Sequence, residues 1–96
     1  MAYHIEQLGF DRHRLERQYH FLIGRAEFHE GQEKVKGENR SSVEMACAAT
    51  LRRDASAIAL LLGNFDNARL QLKTSGQQWT RIGLFHGMFL ISLSQA

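Results

Sequence analysis

The chain has 96 residues, with 12 Lys and Arg against 10 Asp and Glu, a formal net charge of +2, one cysteine and no proline. That length allows one domain with a modest core and excludes a multidomain assembly. The near balance of charge excludes any need for an anionic partner from bulk electrostatics, and a lone Cys47 excludes an internal disulfide.

Residues 1–10 carry no apolar run of signal-peptide length, and the longest apolar stretch, Ile82 to Leu93, is broken by His86 and two glycines. It falls short of the about twenty residues a membrane span needs. With a single thiol, this predicts a cytoplasmic protein without a membrane partner. The absence of proline favours helix throughout.

The first predicted helix covers residues 11–30, with Asp11 as its N-cap. Leu15, Tyr19, Leu22, Ile23 and Ala26 recur at helical spacing and mark its apolar face. Gly31 is the expected stop. Residues 31–42 are polar and contain two glycines, which predicts a loop of about a dozen residues.

A second helix is expected from the Ser41 and Glu44 pair, which has capping-box spacing. Its apolar face is Ala48, Leu51, Ala55, Ile58, Ala59 and Leu62, ending at Gly63. A third, short helix is expected from Phe65 to Ser75, capped by Asn64, with Phe65, Ala68 and Leu72 facing one way and Gly76 ending it. A fourth runs from Gln77 or Gln78 to Ser94. Trp79, Ile82, Gly83, His86, Phe89, Leu90 and Leu93 share one face; Leu84, Met88 and Ile91 form a second strip nearly opposite. A helix apolar on two sides must be covered on two sides. No segment alternates apolar and polar residues as a strand would.

The segment Leu62-Gly63-Asn64-Phe65-Asp66-Asn67-Ala68 resembles the tight turn between the two helices of a tetratricopeptide repeat. There a glycine, a small polar residue, an aromatic, an acid and an alanine recur in that order. Trp79-x-x-Ile82-Gly83-x-x-His86 is similar to the start of a further repeat, with His86 where an aromatic is usual. The resemblance covers residues 52–93. It implies an all-α, right-handed stack of antiparallel helical hairpins, about four helices in all. Residues 43–94 would be the repeat-like part of a single 1–96 domain. It also implies a binding role as adaptor, scaffold or chaperone. About one and a half repeats are visible, and stable arrays need about three or a cap. The first helix, a second copy or another chain would therefore complete the stack.

Several residues have chemistry to weigh. His13, Glu16 and His20 share a helical face near Glu27, a spacing that suits a metal ion. A solvated flank is the favoured reading, because Arg12, Arg14 and Arg17 oppose a bound dication. Arg14, Arg17 and Arg25 alternate with Phe21 and Phe28, a pattern that can hold RNA through phosphate contacts and stacking. A packing surface or protein interface is favoured, since no nucleic-acid motif is present. His86 is expected to be a hydrogen-bonded core residue and Cys47 a buried, inert thiol. Gly83 and Gly87 allow close helix crossing, and Lys34, Lys36, Asn39 and Arg40 are expected to be solvated. No catalytic constellation stands out, so no enzyme activity or cofactor is expected.

The sequence thus predicts a non-catalytic protein-interaction module that binds a partner polypeptide or its own copy through Trp79, Leu84, Met88 and Ile91. The alternative is a small helical RNA- or DNA-binding protein using the basic and aromatic face of the first helix.

Overall fold

The computed structural model describes the backbone of residues 5–35 and 38–95, and the side chains of residues 6, 8–34 and 42–83. A short 3-10 turn, Ile5–Leu8, leads into three long helices: α1, Arg12–Val35; α2, Glu38–Leu61; and α3, Phe65–Gln95. No strand occurs among the described residues.

The α1 start follows capping rules. The Asp11 carboxylate accepts from the backbone N–H of His13 at 3.0 Å and of Arg14 at 3.4 Å, the second and third helical positions that an N-cap serves. The α2 to α3 turn is equally regular. Gly63 sits at φ +80°, where only glycine is unstrained. Its N–H donates to the Leu60 carbonyl at 3.0 Å, and that of Asn64 donates to the Ala59 carbonyl at 2.9 Å. This pair of bonds closes the end of α2 as a Schellman motif. Asn64 then caps α3, its side-chain oxygen accepting from the Asn67 N–H at 3.3 Å.

Three sequence expectations change. Gly31 does not stop α1, which continues to Val35, and α2 already begins at Glu38. Residues 31–35 and 38–42 of the expected loop are therefore helical. Ser41, expected as an N-cap, lies inside α2, and the Glu44 carboxylate meets His29 Nδ1 at 2.6 Å. Gly76 does not separate two helices: Phe65–Gln95 is one helix of 31 residues. A glycine inside a helix costs about 1 kcal/mol. Here the residues around each glycine tie the turns to their neighbours. Glu30 and Glu33 bond across helices near Gly31, and Gln71, Ser75 and Gln78 do so around Gly76.

The helices run up, down and up. Leu15 packs with Ile58, and Arg12 reaches the Leu62 carbonyl. Ser75 Oγ donates to the Ala49 carbonyl at 2.7 Å, which fixes α3 antiparallel to α2. Both outer helices pack on α2, whose buried face is built from Ala48, Ala49, Ala55 and Ala59. Such small side chains permit close approach but supply little apolar volume. Leu15 and Ile58, flanked by Tyr19, Leu22, Leu61 and Leu62, form one apolar cluster, and Met45 is the largest wholly buried side chain. The molecule is a rod of 59 × 24 × 20 Å with a radius of gyration of 16.6 Å. A compact chain of this length would have a radius of about 13 Å.

Candidate interaction surface

The inward seam of α3 runs Ala68, Gln71, Ser75, Gln78 and Ile82, all buried. The alternating spacing of three and four residues keeps them on one side of the helix. Its centre is polar and joins a network across all three helices. Arg52 from α2 donates through Nε and Nη2 to both carboxylate oxygens of Glu30 on α1, each at 2.7 Å. Arg52 Nη1 donates to Gln71 Oε1 at 2.6 Å, and Gln78 Nε2 donates to Glu30 Oε2 at 2.6 Å. The paired guanidinium holds the Glu30 carboxyl below its ordinary range, overcoming burial, and the Gln78 hydrogen bond adds to this. Glu30 in turn raises the Arg52 pKa. Gln78 Oε1 is buried with no hydrogen-bond partner among the described residues.

The large exposed apolar residues of α3 lie elsewhere. Phe65, Leu72 and Trp79 are 39%, 56% and 42% exposed. They are seven residues apart, so they line up along the helix about a quarter turn from the polar seam. Gly76 and Gly83 fall on the same stripe, and a Cβ added at either would meet nothing within 4 Å. The stripe is a row of large side chains with open notches between them. The expected groupings, Phe65 with Ala68 and Leu72, and Trp79 with Ile82 and Gly83, span the boundary between seam and stripe. Ala68 and Ile82 are buried while Phe65, Leu72, Trp79 and Gly83 are exposed. The physical reason is the polar clasp: once Gln71, Ser75 and Gln78 occupy the seam, residues a quarter turn away are left outside.

Of the residues expected at an interface, Trp79 belongs to this stripe. The side chains of Leu84, Met88 and Ile91, with that of His86, lie outside the described residues, although the α3 backbone passes through all four. The residues that sequence reasoning missed are Phe65 and Leu72. Their seven-residue spacing with Trp79 was the available signal, hidden by the assumed break at Gly76.

A second surface lies on α1. Phe21 and Phe28 are 65% and 52% exposed. Arg14, Arg17 and Arg25 are exposed on the same side of the helix. The Arg25 guanidinium lies 5.5 Å from the centre of the Phe28 ring, and the His29 ring meets Phe28 edge-on at 5.4 Å. The five residues expected to form a basic and aromatic face are thus brought together. His13 and Glu16 are both exposed, with His13 Nδ1 3.9 Å from Glu16 Oε2. No three His, Cys, Asp or Glu side chains converge among the described residues. Cys47 is half-buried rather than buried, in an open groove of about 380 Å³ with Arg25, His29, Ala46, Thr50 and Leu51.

Among the described residues no helix is long and apolar enough to cross a membrane. Comparison with protein families, curated proteins and solved structures finds no match.

Proposed function

We propose that this chain is a non-catalytic protein-interaction module whose contact surface is the outward stripe of α3, occupied by a partner polypeptide or a second copy. One observation carries the reading: α3 buries Gln71, Ser75 and Gln78 while presenting Phe65, Leu72 and Trp79 to solvent. A buried polar row beside an exposed apolar row is the informative inversion, since scattered exposed apolar residues are normal. The notches at Gly76 and Gly83 suit knobs from a facing helix. The resemblance of Leu62 to Ala68 to a tetratricopeptide turn supports the same reading, because such repeats act by holding other polypeptides. So does the thin, alanine-lined core of a rod that offers long helical faces.

Light scattering combined with a hydrophobic dye tests it. The expected result is a mass above the 11.0 kDa of one chain, or dye binding that Leu72→Asp abolishes. A monomer that binds no dye contradicts the proposal.

A further inference from the structure

We infer that the outward face of α1 is a second docking surface, and that it takes an acidic amphipathic helix. This face is separate from the α3 stripe. Arg14, Arg17, Phe21, Arg25 and Phe28 fall within roughly 60° of Phe21 around the helix. No Asp or Glu of α1 lies in that sector. Among the other cations, Arg12 pairs with Glu6, Arg53 with Asp54 and Arg81 with Glu33, whereas exposed Arg69 and Lys73 have no carboxylate within 4 Å among the described residues. Arg14, Arg17 and Arg25 have no carboxylate partner among the described residues. Three unpaired guanidinium groups beside two exposed phenylalanines ask for a ligand with both carboxylates and apolar side chains. Guanidinium binds carboxylate through two parallel hydrogen bonds, which makes arginine the apt cation for such a ligand.

The spacing selects a helix. Phe21 and Phe28 are two turns apart, about 10.5 Å along the axis, which is the repeat of apolar positions on a docked helix. Gly24 lies between them on the same side, and a Cβ there would meet nothing within 4 Å, so a partner backbone can approach closely. A single-stranded nucleic acid fits less well. Its stacked bases are about 3.4 Å apart, much closer than the two rings. The Phe28 ring already has Arg25 lying 5.5 Å from its centre, on a face that a base would need.

Fluorescence anisotropy decides the matter with three labelled probes. One is a helical peptide of about three heptads, with leucine on one face and glutamate elsewhere. The second is the same peptide with lysine for glutamate. The third is an oligouridine of about 15 nucleotides. The acidic peptide is expected to bind at least about tenfold more tightly than either other probe, and to weaken as salt is raised. Combined Arg14→Gln, Arg17→Gln and Arg25→Gln is expected to reduce that binding at least about tenfold, as is Phe21→Ala with Phe28→Ala. All five side chains point outward, and circular dichroism checks that helicity is kept. Trp79→Ser on α3 is expected to leave peptide binding unchanged, which separates this surface from the one proposed above. Equal binding of the lysine peptide, insensitivity to the α1 variants, or tighter binding of oligouridine would each overturn the inference.

Discussion

Glu30 and Arg52 show how much of this small fold depends on single polar side chains. One carboxylate on α1 accepts from α2 and α3 together, so it fixes the relative register of all three helices. Hydrogen bonds to charged groups contribute about 1.5–3 kcal/mol when buried. Glu30→Gln should therefore destabilise the fold by roughly 2–3 kcal/mol near neutral pH, measured by urea unfolding. The sign of the pH dependence follows from the lowered pKa. The folded value lies below the ordinary 4.5, so the stabilisation is complete above that pH and is lost as the pH falls through the folded value. The gap between wild type and Glu30→Gln should narrow below pH 4.5. A gap that stays constant would mean the carboxylate does not hold the clasp.

The helices themselves turn on how the chain treats its glycines. Gly76 lies within α3, exposed and with open space around it. Because the helix is continuous there, Gly76→Ala should raise stability by up to about 1 kcal/mol. A loss of stability would instead indicate a break at that point. Much of the element level was legible in the residues. Asp11, Gly63 and Asn64 were identified as cap, stop and cap, and each makes the backbone bonds expected of it. The apolar faces of α1 and α2 were largely legible: Leu15, Ala26, Ala48, Ala55, Ile58 and Ala59 are buried, and Tyr19, Leu22, Ile23, Leu51 and Leu62 are half-buried. Gly31 and Gly76 misled because local propensity is weaker than tertiary bonding, and the bonds of Glu30, Glu33, Gln71 and Gln78 span the chain. The α3 surface was hidden for the same reason. Nothing near Gln71, Ser75 or Gln78 in the sequence announces that Arg52, Glu30 and the Ala49 carbonyl will bond to them. Without that knowledge, Phe65 and Leu72 look like core.

At the scale of the molecule, a rod with an alanine-lined centre cannot hide all its large side chains. Each Leu or Phe taken fully out of water contributes about 1.5–3 kcal/mol, and association must first offset lost translational freedom and side-chain ordering. A row of Phe65, Leu72 and Trp79 is therefore enough for a contact once neighbouring residues and a shaped partner add to it. The α1 and α3 surfaces differ in chemistry, one basic and aromatic, the other apolar with glycine notches, and so they suit different occupants.

The chain's single tryptophan, Trp79, sits on the stripe and reports on it directly. Acrylamide quenching of its fluorescence, followed from dilute to concentrated protein and then with any co-purifying chain, is the most direct measurement. The account predicts that quenching falls and emission shifts to shorter wavelength as the stripe is covered. Emission and quenching that stay those of an exposed indole under every condition would contradict it.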